Sequence, residues 1–460
     1  MLASVLTMGL PVGSQSSSDL IVGSLDRPIA FDGRRFILVG EFLAQLHGLA
    51  AQLPEASHLL NLCDGRYAFT LTWCAALLRG IPTLLPPSRA PSVILEMLDR
   101  YPEAWAVGDD RFADGIRMER IPPRFYSLPH PLPTAAGERP ALSAALLAAI
   151  GFTSGSSGPP KPQSKHWGSL CASTAHNLAA LTAHAGPGCH LLATVPSQHM
   201  FGMETAVLLP LLGDASIHTA RPFFPADIVA ALAELPSPRV LVTTPVHLRA
   251  LIESGLEVPQ LAVILSATAA LSRELAQAAE LASGAHVLEF FGSTETCIFG
   301  HRRTALDADW TAYAGVQIEP RADGALVSAD WLAEPVLLQD LIETLPNGQF
   351  RLAGRTSDLL EIAGKRVSLG ELTRRLLAVD GVSDAVVFQL DADGPVQRIA
   401  ALAVAPGRSE VELLAALRES IDPVFLPRPL RLLERLPRNE TGKLPRKALL
   451  EALRQGSGTA

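Results

Sequence analysis

Apolar positions along this chain fall on two periods that alternate. Phe42, Leu43, Leu46, Leu49, Ala50 and Leu53 recur at helical spacing and stop at Pro54, which predicts an amphipathic helix. Leu59 to Cys63 is a continuous apolar run of strand length. Asp64-Gly65 then turns it into an apolar helix over Phe69–Leu78, closed by Arg79-Gly80, and Ile81–Leu85 reads as the next strand. Strand, helix, strand in that order is a βαβ unit and favours a parallel sheet. The proline-rich stretch Pro122–Pro140 reads as a surface connection. Ala145–Ile150 is a further buried-type strand, and after a glycine-rich segment the alternation resumes. A helix is expected over Asn177–Ala183, then a strand His190–Val195, a helix through Leu212, and a strand near Ala215–His218. A helix from Asp227 and strands Val240–Thr244, Leu261–Leu265 and His286–Phe291 follow. The last two strands end in small polar clusters, Ser266-Ala267-Thr268 and Gly292-Ser293-Thr294-Glu295. Open parallel sheets bind ligands at the carboxyl ends of their strands, so these clusters mark one composite site.

From Leu326 the strands shorten and turns multiply. Asn347-Gly348 is a hairpin signal between Leu337–Leu345 and Phe350–Leu352. A second hairpin is expected to turn at Gly364-Lys365, followed by a helix with Leu369, Leu372, Leu376 and Leu377. Strands near Ala385–Gln389 and Ile399–Val404 and a helix from Glu410 complete the tail. The expected fold class is α/β: a large N-terminal domain of parallel-type sheets with flanking helices plus a β-rich subdomain (residues 1–358), and a small α+β C-terminal domain (residues 359–460).

The glycine-rich segment is Phe152-Thr153-Ser154-Gly155-Ser156-Ser157-Gly158-Pro-Pro-Lys161-Pro162. Its glycines permit close backbone approach, its hydroxyls donate, and exposed N–H groups can form an anion nest. Such a loop suits a polyphosphate, although the same composition also fits a Gly/Ser linker. It is not a Walker loop, because Gly-x-x-x-x-Gly-Lys-[Ser/Thr] is absent.

Composition narrows the function classes. Only 18% of residues are charged and the formal net charge is -8, which argues against general nucleic-acid binding. Five lysines (Lys161, Lys165, Lys365, Lys443, Lys447) stand against 33 arginines, so each lysine is a departure from the default base. Five scattered cysteines without CxxC spacing read as reduced thiols. No apolar run reaches transmembrane length, and Met1–Asp19 lacks the positive start of a signal peptide, so a cytoplasmic protein is expected. Residues 359–460 hold 15 basic and 13 acidic residues, and Arg428–Lys447 alone has seven basic against two acidic. A solvated basic face and a docking surface for an acidic partner both fit that run.

Five motifs in order resemble those of adenylate-forming (AMP-binding) ligases, the superfamily of acyl-CoA synthetases, peptide-synthetase adenylation domains and luciferases. They are the loop Phe152–Lys161, Phe291-Gly-Ser-Thr294-Glu295, Gln339-Asp340-Leu341, Gly354-Arg355-Thr-Ser-Asp358 and Leu436-Pro-Arg-Asn-Glu-Thr-Gly442-Lys443. The resemblance covers nearly the whole chain. It implies that a carboxylate attacks the α-phosphorus of ATP, giving acyl-AMP and pyrophosphate, and that a thiol then takes the acyl group. By resemblance, Thr153, Ser154, Gly155, Ser156, Ser157, Gly158 and Lys161 cradle the β/γ-phosphates. Ser266, Ala267, Thr268, Phe291 and Gly292 belong to the nucleotide site, Thr294 touches the α-phosphate and Glu295 holds Mg2+. Asp340 accepts from the ribose with Arg355 in support, Lys443 bridges the substrate carboxylate and the α-phosphate, Asp358 is the hinge and Gly364 lines the thiol tunnel. His199, Phe201 and Met203 fall at the acyl-pocket gate, with Phe290, Thr296 and Cys297 on the other wall.

Three departures from the family pattern stand out. Pro162 replaces a glycine, Ser266-Ala267-Thr268-Ala-Ala-Leu271 replaces Ser-Gly-Gly-Ala-Pro-Leu, and Glu361 stands where many relatives have lysine. The N-terminal part, Gly65-Arg-Tyr-Ala-Phe through Leu85-Pro-Pro-Ser-Arg-Ala-Pro, resembles the short ligases of aryl polyene and xanthomonadin-type pigment clusters. That implies a hydroxybenzoate-like acid and the phosphopantetheine thiol of an acidic acyl carrier protein as acceptor. CoA as the acceptor is the alternative, and a non-catalytic adenylate-binding module is the alternative from another class.

Overall fold

The computed structural model describes residues 16–86, 89, 91–109, 124–153, 161–355, 359–362, 365–390, 398–439 and 442–455. The chain packs as two compact units, one formed by residues up to Val316 with Ala329–Glu334, the other by Gln317–Ser328 with residues from Pro335 onward.

The first unit is built on two sheets. In the smaller, the strand order is Lys161–His166, Leu147–Thr153, Thr83–Leu85, Leu59–Asn61, Trp105–Gly108, Phe125–Ser127. All neighbours are parallel except the first pair, so the βαβ expectation from Leu59 to Leu85 holds. The intervening helix starts earlier than its apolar face suggested, at Arg66, because Arg66 is itself buried. The stretch expected to be only a connection contributes the edge strand Phe125–Ser127, whose residues lie between the prolines rather than on them.

In the larger sheet nine strands of this unit run in the order Trp310–Ala312, Cys297–Arg303, His286–Ser293, Val263–Ser266, Arg239–Thr243, Cys189–Ala193, Ala215–His218, Pro28–Phe31, Phe36–Leu38. The six from His286–Ser293 to Pro28–Phe31 are parallel. Their helices are closed by local chemistry. Thr244 caps Pro245–Glu253 by accepting the His247 N–H, Ser272 caps Arg273–Ser283 through the Leu275 N–H, and Gly284 ends that helix in the left-handed conformation. One face of the sheet buries a core of Leu192, Leu241, Ile264 and Val287 against Ile228, Leu232, Leu248, Leu251 and Leu275. The helix expected over Asn177–Ala183 runs from Trp167 to Ala185, and Gly186 at φ +73° follows it.

The second unit has a three-stranded sheet (Gln317–Arg321, Gly324–Ser328, Val336–Leu338) and the hairpin Asp340–Thr344/Gln349–Arg355. The stretch expected as one arm of the hairpin, Leu337–Leu345, is divided at Gln339 into two strands. Asn347 at φ +62° makes the turn, as the Asn-Gly signal required. Leu359–Ile362 pairs with Lys365–Ser368, the helix Leu369–Leu377 follows, and Asp384–Gln389, Ile399–Val404 and Leu430–Leu432 form a further sheet. Leu372, Leu376, Val387, Ala401, Leu413 and Phe425 make a core of this unit's own.

Candidate active site

Strand pairing brings the two ends of the phosphate-type loop together. Leu147–Thr153 and Lys161–His166 are antiparallel with Thr153 opposite Lys161. Ser154, Gly155, Ser156, Ser157 and Gly158 lie outside the described residues. Lys161 is exposed where the strand begins. Pro162, opposite Phe152, is tolerated because this strand is the sheet edge and no ladder bond is needed on its outer side. Four residues on, Lys165 is 5% exposed and its Nζ donates to the Glu295 carbonyl at 2.7 Å.

That carbonyl belongs to a tight turn between His286–Ser293 and Cys297–Arg303, where Ser293 pairs with Cys297. Ser293 Oγ accepts the N–H groups of Glu295 and Thr296, both at 3.2 Å, while Thr296 Oγ1 accepts the Ser293 N–H at 3.0 Å. Trp331 Nε1 donates to the Thr296 carbonyl at 2.9 Å. Gly292 sits at a bulge, and a Cβ there would stand 2.2 Å from the Cys297 carbonyl, so only glycine fits. Thr294 and Glu295 are half-buried at the turn's tip. The turn meets the loop strand directly: a Cβ added to Gly151 would lie 2.9 Å from Thr294 Cγ2. Two motifs more than 130 residues apart are thereby placed side by side.

The neighbouring strand ends supply polar groups to the same edge. Ser266 pairs with Thr243 on one side and Glu289 on the other; its Oγ is buried without a partner. An orphaned buried hydroxyl at the carboxyl end of a parallel strand suits a ligand polar group. Ala267 is buried, whereas Thr268 is exposed at φ +81°. The segment is anchored beyond Thr268 by the Leu271 N–H donating to Glu289 at 3.1 Å, and Glu289 is held by Arg302 and Thr304. Thr194 Oγ1 stands 3.0 Å from Thr243 Oγ1 and 3.1 Å from His247 Nδ1 on the adjacent strand end.

Of the residues expected in the acyl pocket, His199 is half-buried at the start of the helical stretch Met200–Leu212. Phe201, Met203, Phe290, Thr296 and Cys297 are buried, and the Thr296 hydroxyl is committed to the turn, donating to the Cys297 carbonyl at 2.9 Å. Cys297 has φ +60°, and burial pushes its thiol up to about 11. The Phe291 ring packs on Phe299 and Trp310, both with centroids 5.2 Å away.

In the second unit Asp340 is half-buried directly opposite Arg355 in the hairpin register. Gly324, at φ +145°, lets the strand Val336–Leu338 approach: a Cβ there would lie 1.9 Å from the Leu338 carbonyl. Lys443 is exposed on a loop that is closed on itself. Its N–H donates to Asn439 Oδ1 at 2.9 Å, its carbonyl accepts the Asn439 N–H at 2.8 Å, and Gly442 turns at φ +76°. Arg438 fixes the loop from below, donating to both carboxylate oxygens of Asp384 and to the Gly442 carbonyl. Asp358 and Gly364 lie outside the described residues. Neither the Arg438–Asp384 pair nor Lys165 carried a functional reading from the sequence; the scarcity of lysine was the one signal at Lys165.

Residues 50–328 match the model of the AMP-binding enzyme family, and residues 373–443 that of the AMP-binding enzyme C-terminal domain. The chain belongs to the AMP-binding enzyme family. The 4-coumarate–CoA ligase of Halorhodospira halophila is 30% identical over 302 residues, covering 64% of this chain and 73% of that protein. The fold is similar to that of ATP-bound MatB from Rhodopseudomonas palustris (TM-score 0.79, 18% identity, 94% of this chain and 97% of that chain covered). It is equally similar to the anthranilate CoA ligase AuaEII in complex with anthranoyl-AMP (TM-score 0.79, 15% identity, 95% and 96% covered). The AMP-binding enzyme is thus an adenylate-forming ligase that activates an acid. No described helix is long and apolar enough to cross a membrane.

Proposed function

We propose that this enzyme activates an aromatic acid such as a hydroxybenzoate as its adenylate and passes the acyl group to the phosphopantetheine thiol of an acyl carrier protein, in pigment-type biosynthesis. The observation that carries the activation chemistry is the contact of the phosphate-loop strand with the Thr294–Glu295 turn, through Gly151 and Lys165. That contact supports a polyphosphate site bordered by Thr294 and by Glu295, a carboxylate of the hard-oxygen type that Mg2+ prefers.

In the first half-reaction a substrate carboxylate oxygen attacks the α-phosphorus. The acyl–O–P bond forms, the α–β phosphoanhydride bond breaks and pyrophosphate departs with its electron pair. Mg2+, when bound, would neutralise phosphate charge. Lys161 and the loop hydroxyls hold the leaving polyanion, Thr294 orients the α-phosphate, and Glu295 is the residue that would hold the metal. Asp340 takes the ribose, Arg355 supports it, and Lys443 spreads positive charge over the transition state. In the second half-reaction the thiolate attacks the acyl carbon, the bond to AMP breaks, and the thiol proton goes to solvent. Residues 359–460 are the module that swings about Asp358 between the two steps, and Gly364 borders the thiol's path.

The aromatic substrate is supported by the names of two relatives, which carry 4-coumarate and anthranilate. The carrier-protein acceptor is supported by the basic run Arg428–Lys447 around the Lys443 loop. An aroyl-CoA synthetase is the second reading, favoured by the CoA ligase at 30% identity. Pyrophosphate exchange over a panel of aryl and fatty acids tests the activation: exchange is expected with a hydroxybenzoate, and none with any acid on folded protein would sink it. CoA and holo carrier protein offered side by side decide the acceptor; faster thioester formation on CoA would establish the second reading.

A further inference from the structure

Glu204 lies in the middle of the apolar helical stretch Met200–Leu212, inside its π-helical segment Met203–Leu208, and is only 1% exposed. A carboxylate in such a place is costly unless it is fully bonded, and π-helical turns inside α-helices recur at functional sites. Its Oε2 accepts the Ile298 N–H at 3.0 Å and Asn177 Nδ2–H at 3.3 Å. Asn177 Oδ1 in turn accepts the buried Tyr313 hydroxyl at 2.8 Å. The opposite charge nearby is Lys165, whose field favours the ionised carboxylate and whose own Nζ is spent on the Glu295 carbonyl. The Cys297 thiol feels both charges.

The two charges therefore bracket one short turn. Lys165 takes a carbonyl within it, at Glu295, and Glu204 takes the amide that follows it, at Ile298. They come from different elements: Lys165 from the strand that leaves the phosphate loop, Glu204 from the helical stretch that starts at His199. Cys297, at φ +60°, and Gly292, which admits no side chain, leave the turn few other ways to hold its shape. The Lys165 ammonium delivers one donor to one carbonyl, so the side chain is committed to this turn.

We propose that Lys165 and Glu204 are positioning residues for adenylation, clamping the Thr294–Glu295–Thr296 turn from both sides and so setting where the Thr294 hydroxyl and Glu295 carboxylate stand against the phosphate loop. The inference rests on the reading of Glu295 as the residue that would hold Mg2+. The test measures pyrophosphate exchange against Mg2+ and acid concentration, with thermal unfolding, for Lys165→Met, Glu204→Leu, Glu204→Gln and Tyr313→Phe. Glu204→Gln keeps an oxygen for both hydrogen bonds and is expected within threefold of the parent. Lys165→Met and Glu204→Leu are expected to lose about 30- to 100-fold in kcat, the scale of a misplaced reacting group. Their half-saturating Mg2+ should rise at least fivefold with the KM for the acid unchanged. A merely structural role would move thermal stability and leave the Mg2+ dependence of the folded fraction where it was, and that result overturns the proposal. Should both buried replacements fail to fold, Tyr313→Phe decides, with a two- to fivefold Mg2+ shift expected and none overturning. Absence of exchange in the parent would instead remove the adenylation reading, and this inference with it.

Discussion

Thr268 is a β-branched residue held at φ +81°, a backbone region that costs such a side chain roughly 1–3 kcal/mol. The strain sits at the exposed end of the segment that leads from the orphaned Ser266 hydroxyl. Glycine relieves the strain but enlarges the entropy of the unfolded chain by roughly 0.5–1 kcal/mol. Thr268→Gly is therefore expected to stabilise by about 1 kcal/mol in urea titration. An unchanged midpoint would show that the positive φ costs nothing there. Glu204 makes a pH-dependent counterpart. Burial, its largest cause, raises the carboxyl from 4.5 to about 7, against the Ile298 N–H, Lys165 and Asn177, which lower it. The native state then binds a proton that the unfolded state has released, so between about 4.5 and 7 stability falls as pH rises. Unfolding followed from pH 5 to pH 8 should show the parent losing stability relative to Glu204→Gln, by on the order of 3 kcal/mol from 1.36 kcal/mol per unit. A constant difference across that range would mean Glu204 does not titrate there.

At the scale of elements, the strand Leu147–Thr153 does two jobs: it delivers the phosphate loop and lies against the Thr294 turn. Gly151 is where the second job shows. The one tight approach a Cβ makes there is to the far end of the Thr294 side chain, at 2.9 Å; the Gln163 carbonyl and Met200 sulfur are at an ordinary 4.0 Å. Gly151→Ala is thus expected to fold, with a thermal midpoint within a few degrees of the parent, yet to lose tenfold or more in exchange because Thr294 must rotate away. Equal loss of stability and activity would point to a packing defect instead. Periodicity made this strand legible, because Ala148, Ala149 and Ile150 are a buried run. It could not reveal Gly151's role, since the atom it must avoid arrives from a turn some 140 residues later. The same limit applies to Leu337–Leu345, one expected hairpin arm that the fold divides at Gln339 between two sheets. It applies again to the edge strand Phe125–Ser127, which exists only because Trp105–Gly108 offers a ladder.

For the whole molecule, the cluster of Leu372, Leu376, Val387, Ala401, Leu413 and Phe425 lies wholly within residues 359–460, as a module proposed to move as one body about Asp358 requires. The proposed roles of Lys443 and Asp358 separate the steps. Lys443→Ala is expected to abolish exchange while sparing thioester formation from supplied acyl-adenylate; equal loss of both would contradict its assignment to the first step. Asp358→Pro, which restricts φ to about −65°, is expected to leave exchange within severalfold and slow thioester formation at least tenfold. Retention of both rates would remove the hinge reading.

The sequence by itself determined the family motifs, the βαβ order, the hairpin at Asn347-Gly348 and the residue types of the site, because those depend on local spacing and local backbone preference. Only the tertiary structure decided that the loop strand touches the Thr294 turn, that Lys165 and Glu204 grip that turn from two elements, and that Arg438 and Asp384 brace the Lys443 loop. Those are contacts between residues far apart in the chain. A buried charge is chosen by the partner it meets after folding, and no periodicity in the sequence records which partner that will be.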